Sequence, residues 1–303
     1  MSLHFRRRFW AWVLFLPQAC VISLLIIGVM VGMVQSFGII PSLGFNDFTF
    51  DFYRQALSNP QLKDSIIFSL KIALASSLFA IGLGLGISYV WLHQIKPSKF
   101  SEIMIRIPII VPHIVVSLFV LQFLSRTGLL ARLLFALGIE NARDWFEPLL
   151  YQPNGIGVIL GFLWKEVPFV VFYCFPMIQS ISDSIGQAAR TLGASRWQTY
   201  WKIILPLAKK TIFAAFFIIF MFTFGTYELP ALLGPTVPRA LPVMTYQAYT
   251  HPDLSHRPYA MAMNGLILFV GLAAILCIWI LISLPQIKHY RMIFRKGGGD
   301  YEG

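Results

Sequence analysis

The chain has 303 residues, of which 57% are hydrophobic and 12% charged, with a net charge of +11. A soluble globular domain carries about a quarter charged residues, so the composition excludes an ordinary soluble fold. The mean hydropathy of +0.71 points instead to a bilayer. In a soluble protein the excess of basic residues would suggest nucleic acid, but here those residues have first to be placed against the membrane.

A helix needs about 20 mainly apolar residues to cross the hydrocarbon. In chain order the candidates are 9–34, 65–92, 103–124, 155–181, 211–233 and 260–284. The first follows Arg6-Arg7-Arg8 and ends in Gln35-Ser36-Phe37. It is too long for the apolar core of a cleaved signal and is read as a retained membrane helix. The expected fold is an all-α membrane protein of about six helices. It comprises an N-terminal segment 1–8, a transmembrane domain 9–284 with an internal polar loop 182–210, and a tail 285–303, with Gly297-Gly298-Gly299, that is expected to be disordered.

With six spans both termini lie on one side. The loops on that side hold 14 Lys and Arg, among them Arg6, Lys99, Arg190, Arg196, Lys202 and Lys288; the opposite loops hold 7. Lysine and arginine bias sets topology, so both termini and the 182–210 loop are expected in the cytoplasm. The basic balance is then a topology signal, and nucleic-acid binding is not expected. On the other side, 127–138 suits a helix lying in the interface. Residues 234–258 carry five prolines, which argue against a long helix there.

Several spans carry prolines: Pro108 and Pro112 in the third, Pro168 and Pro176 in the fourth, and Pro230 near the end of the fifth. Each removes an intrahelical hydrogen bond. Such kinks suit either a helix lining a path or simple packing. Gly82, Gly84 and Gly86 give the second span a small face for close helix approach.

Lys165-Glu166 is the costliest pair. It lies near the bilayer midplane, where a charged group costs at least about 2.5–3.5 kcal/mol. Neighbours in sequence point about 100° apart on a helix, so each needs its own partner. Lys71 and Glu228 are the candidates, and with Pro168 and Tyr227 they make a candidate translocation path or gate. A structural ion pair locking helices is the competing reading. Arg106, near a span end, is expected to snorkel.

The three cysteines and six histidines show no metal-ligand spacing or disulfide framework. The sequence has no GxSxG, no HExxH and no P-loop. Any ATP-driven process therefore needs a separate ATPase chain.

The most polar long run between two strongly apolar stretches is 187–206, QAARTLGASRWQTYWKIILP. Ile185, Ala188, Ala189 and Leu192 fall at helical spacing. Gly193 suits a helix stop, Ser195 suits the cap of a second helix, and Pro206 is expected to restart the chain into the fifth span. Taken by itself the run fits a partner-docking element or a loop on lipid headgroups equally well.

Gln187-Ala188-Ala189, three residues, Gly193, nine residues and Ile203-x-Leu205-Pro206 resemble the signature of the membrane permease subunits of binding-protein-dependent ABC importers of the type I fold. One position departs: Gln187 stands where that family has glutamate. Residues 107–113, 164–168, 223–230 with Leu241-Pro242, and 253–261 resemble the polyamine, opine and phosphonate branch. The resemblance implies a multi-pass bacterial inner-membrane permease that moves a small solute by alternating access. It implies two ATPase subunits using ATP and magnesium, neither bound by this chain. It also implies a second, related permease in a heterodimer, surrounding lipid, and an extracytoplasmic binding protein. The segment holding Gln187, Ala188, Ala189, Arg190, Gly193, Ala194, Arg196 and Trp197 would be the coupling helix. A secondary transporter or channel using Lys165 and Glu166 is the alternative. An intramembrane enzyme lacks a nucleophile–base constellation.

Overall fold

The computed structural model describes residues 3–93 and 98–297, with side chains described over 12–93 and 98–280. The last part of the tail expected to be disordered, 298–303, Lys96, and the side chains of Arg6 to Arg8 and of 288–296 lie outside what is described. Every named element is helical. In order they are α1 (Leu3–Ser36), α2 (Asp51–Leu57), α3 (Leu62–His93), α4 (Lys99–Ile110), α5 (His113–Leu124), α6 (Leu129–Ala136), α7 (Ala142–Phe146) and α8 (Ile156–Ile181). There follow α9 (Gln187–Thr191), α10 (Arg196–Thr199), α11 (Leu205–Gly225), α12 (Glu228–Leu233), α13 (Leu241–Tyr249) and α14 (Arg257–Gly297). Among the described residues, six helical runs are long and apolar enough to cross a membrane.

The chain divides into two compact units. The first takes 1–62 and 244–269, the second 63–243 and 270–303. In the first, Phe37 stacks on Phe48 with centroids 4.9 Å apart and Tyr53 packs beside it. The Tyr53 and Ser36 hydroxyls lie 2.8 Å apart. Asn59 donates to the Tyr259 hydroxyl at 3.1 Å, which ties the end of α2 to the start of α14.

The second unit holds the core. Phe68, Ile72, Val158, Phe162, Leu229 and Leu233 form one buried cluster; Ala80, Leu85, Val170, Cys174, Ile178, Tyr200 and Ile204 form another. Of the three glycines in α3, only Gly84 makes the close approach. A Cβ there would stand 2.5 Å from Val170 Cγ1, whereas Gly82 and Gly86 face open space. Gly84→Val is therefore expected to push α3 from α8 and destabilise the unit by about 1–3 kcal/mol. Gly82→Val serves as a near-neutral control, both read by thermal melting in detergent.

The prolines behave differently from one another. The third expected span is two helices: Val111 is extended (φ −66°, ψ 129°) and Pro112 caps α5. α8 instead runs unbroken through Pro168 and Pro176. The fifth expected span, 211–233, also needs correction. The helical run begins at Arg196 and ends at Gly225. Thr226 is extended and α12 starts afresh at Glu228. Pro230 sits in the first turn of α12, where its missing N–H would have had no helical partner.

Pro206 does not restart the chain. Helix is continuous from α10 through a π-helical segment, Tyr200–Ile204, into α11. The wider turn lies just before the proline ring, where regular i→i−4 bonding would have been interrupted. In 234–258, where a long helix was ruled out, the nine-residue α13 begins at Leu241-Pro242, a proline position that favours helix starts. A helix does form in 127–138, as α6, ending two residues before Gly138 (φ 91°); with α5 it makes one candidate membrane span. The tail was expected to be disordered, but α14 runs on past residue 284 to Gly297, so 285–297 is helical.

Candidate functional site

Two sites in the second unit bring the predicted residues together. The first is the 187–206 run. α8 leads through a π-helical segment, Ser182–Gly186, into α9. Gly193 has φ 92°. The Gly193 N–H bonds the Arg190 carbonyl at 3.0 Å and the Ala194 N–H bonds the Ala189 carbonyl at 3.1 Å. This is the Schellman pair that closes a helix on a left-handed glycine. Ser195 then caps α10 reciprocally: its hydroxyl accepts from the Gln198 N–H, and the Gln198 side chain accepts from the Ser195 N–H. Two short helices thus meet at a corner that the local sequence specifies at both ends.

The corner is pinned to the end of α3. Arg196 donates to the His93 carbonyl at 2.8 Å, supplying a cation and a donor at a helix C-terminus. The buried Tyr200 hydroxyl donates to the Leu85 carbonyl at 2.7 Å. Tyr89 packs edge-on against both Trp197 and Tyr200, with centroids 5.4 and 5.1 Å away. Tyr200→Phe is expected to lower stability by about 1 kcal/mol and loosen this corner, read as a lower thermal midpoint with unchanged membrane insertion.

What the corner presents outward follows from that anchoring. Leu192 is 89% exposed and Trp197 58%. Gln187, Ala188 and Arg190 are exposed and Ala189 is half-buried. A surface notch is lined by Gln187, Arg190, Thr191, Gly193, Ala194 and Arg196. Of its two arginines, Arg196 is committed to His93. Ile203 and Leu205 are half-buried, Ile204 is fully buried, and Pro206 is exposed.

The second site lies at the α4–α5 break. Lys165 and Glu166, on α8, are 8% and 6% exposed. Lys165 Nζ donates to the Val111 carbonyl. That carbonyl is free because the next helical bonds start one residue later: the Val115 and Val116 N–H groups both bond Pro112. The buried lysine thus finds a hydrogen-bond acceptor in backbone released at a proline, while Glu166 and Glu228 act on it electrostatically. Lys71 is exposed and reaches the Pro153 carbonyl at 3.4 Å, so it does not join this group. Pro168 is buried one turn along α8. Glu228, exposed at the head of α12, acts electrostatically on both Lys165 and His113, while Tyr227 beside it is half-buried.

His113 belongs to this site and was missed in the sequence. It is the first residue of α5, and its Nε2 is buried without a hydrogen-bond partner. Its ring lies 4.9 Å from Phe222. The signal for it was the Val111-Pro112-His113 order, since the residue after a proline break opens the next helix. A cavity of about 220 Å³ is bounded by His113, Lys165, Glu166, Phe169 and Phe222. Such a site brings buried charge, one unpartnered imidazole nitrogen and aromatic walls together. Among the described residues there is no metal-ligating cluster.

Comparison with known proteins adds relatives. The chain is 30% identical over 191 residues to the spermidine/putrescine transport system permease protein PotB of Salmonella typhimurium strain SL1344. That match takes in 62% of this chain and 63% of the relative's length. It is 24% identical to the molybdenum transport system permease protein ModB of Escherichia coli K12, over 65% of this chain and 83% of that one. In fold it resembles a bacterial ABC transporter for the acidic polysaccharide alginate, with a TM-score of 0.67 at 19% identity, covering 90% of this chain and 94% of the other. A bacterial alginate ABC transporter in complex with alginate pentasaccharide-bound periplasmic protein gives 0.70 at 19% identity, covering 90% of this chain and 93% of the other. Residues 78–290 match the model of the binding-protein-dependent transport system inner membrane component. That segment takes in both the cavity and the capped corner, and the chain belongs to that family.

Proposed function

We propose that this chain is the membrane permease subunit of an ATP-driven importer in a bacterial inner membrane. The observation that carries this reading is the corner formed by α9 and α10. It is rigidly closed at Gly193 and Ser195, anchored to α3 through Arg196 and Tyr200, and it leaves Leu192 and Trp197 uncovered. A stiff element with an apolar tip suits transmission of force from a docked partner to the helices behind it. Two ATPase subunits dock there and supply ATP and magnesium chemistry. A second, related permease completes the path as a heterodimer. An extracytoplasmic binding protein, of the kind seen with the alginate importer, delivers the solute at the other end. Both termini and the corner are cytoplasmic. ATP binding biases one of two arrangements of the broken helices, α4–α5 and α11–α12, and so alternates access. The cargo is a polyamine, a phosphonate or a related small charged solute.

The corresponding test is co-purification from the native membrane. The chain is expected to bring down an ATPase subunit and a second permease, and to bind no ATP when purified alone. ATP hydrolysis by the isolated chain would refute the subunit assignment.

A further inference from the structure

We propose that the notch between α9 and α10 receives a carboxylate side chain of the docked ATPase subunit, with Arg190 as the residue that recognises it. This rests on the importer reading for the partner's identity and adds the chemistry of the contact. The notch is bordered by two guanidinium groups and by no carboxylate. From Ser184 to Tyr227 the sequence holds five Lys and Arg and neither Asp nor Glu. Glu102, on α4, is taken by Arg106 at 3.7 Å. Among the described residues Arg190 is exposed and enters no ion pair or hydrogen bond. The chain itself therefore supplies no counter-ion for this arginine.

The donors left free around the notch belong to side chains. The Gly193 and Ala194 N–H groups close α9, and the Ser195 N–H is taken by Gln198. Thr191 gives its hydroxyl proton to the Ala188 carbonyl at 2.7 Å. Ser195 accepts from the Gln198 N–H and has its own O–H left to give. Arg196 uses one N–H on the His93 carbonyl, and a guanidinium has five. Arg190 has its whole fork free, the geometry that matches a planar carboxylate. A lipid phosphate would meet the same donors, but the corner stands too far from the bilayer. Ile218 lines the cavity that holds Lys165 and Glu166, at the level read as the midplane. Arg196 precedes Ile218 by 22 residues of continuous helix, about 33 Å. The midplane lies only about 20–22 Å from the outer edge of the headgroups. The exposed Leu192 and Trp197 beside the notch complete a surface of apolar anchors around a charge, which suits a protein partner.

The test uses the assembled transporter, purified from native membranes into nanodiscs with and without phosphatidylglycerol. Retention of the ATPase subunit is measured across a salt titration. The wild-type complex is expected to loosen as salt rises. Arg190→Glu is expected to weaken retention by at least about tenfold in both lipids, at an unchanged melting temperature. Arg190→Lys adds a direct reading, because a carbodiimide joins an amine only to a carboxylate in contact with it. A product between position 190 and an Asp or Glu of the ATPase is expected, mapped by peptide mass spectrometry. The proposal is overturned if Arg190→Glu retains the ATPase as the wild type does, or if position 190 joins no ATPase carboxylate. It is also overturned if Arg190→Glu weakens retention only where phosphatidylglycerol is present, which would assign the arginine to a headgroup. In each of these cases the ATPase still co-purifies with the wild-type chain, and the importer reading stands. A wild-type preparation that brings down no ATPase refutes that reading and this contact with it.

Discussion

Gly193→Asp is expected to abolish coupled ATP hydrolysis while the chain still inserts and folds. Gly193 ends α9 at φ 92°, a conformation that an L side chain adopts at a cost of about 1–2 kcal/mol. A Cβ there meets nothing within 4 Å, so the chain itself has room for the substitution. The local penalty is small, and the corner stays anchored through Arg196 and Tyr200. The damage falls on the outward face, where a carboxylate would enter the notch beside Arg190 and Ala194. Substrate-stimulated hydrolysis in the assembled transporter should fall to the level of the uncoupled ATPase, with a melting temperature close to wild type. Normal stimulation would show that the corner is not the coupling element.

Lys165→Leu is expected to be the most destabilising single change in the second unit. It removes the donor that satisfies the Val111 carbonyl and leaves Glu166 and Glu228 without their common cation. Breaking a buried charge contact from one side costs about 3–5 kcal/mol. Thermal melting in detergent should show a large drop, and transport should be lost with it. Glu166→Gln removes a buried carboxylate whose one charged neighbour, Lys165, keeps the Val111 carbonyl, and is expected to leave stability unchanged or raised. The two neighbours therefore predict opposite signs on stability, which a simple structural ion pair between them would not. Equal losses from both substitutions would contradict the assigned contacts.

The apolar stretches were legible because membrane helices announce themselves by length, and the corner was legible because its punctuation is local. Gly193 and Ser195 act on backbone within four residues of themselves, so their roles follow from residue type and position. The fates of the prolines were not legible. Pro112 breaks a helix, Pro168 and Pro176 do not, and Pro230 helps to start one. What differs is the tertiary surroundings. α8 runs unbroken through the buried Pro168 and the exposed Pro176, whereas Val111 adopts the extended conformation favoured before proline and gives its carbonyl to Lys165. Lys165 found its partner in a backbone atom 54 residues away, and no side-chain pattern encodes that. Lys71, a plausible partner for Glu166 by charge and span, sits at the surface near Pro153 instead.

The importer assignment stands or falls on what touches the tip of the corner. Leu192, 89% exposed, is the residue to use. In a background with Cys20, Cys174 and Cys277 replaced, Leu192→Cys would be treated with a short bifunctional thiol reagent in native membranes, with and without ATP. The account predicts a cross-linked product between this chain and an ATPase subunit, with a yield that changes when ATP is added. Leu137→Cys, on the exposed loop after α6, should give none. No ATPase adduct from Leu192→Cys, or an equal yield from both positions, would contradict it.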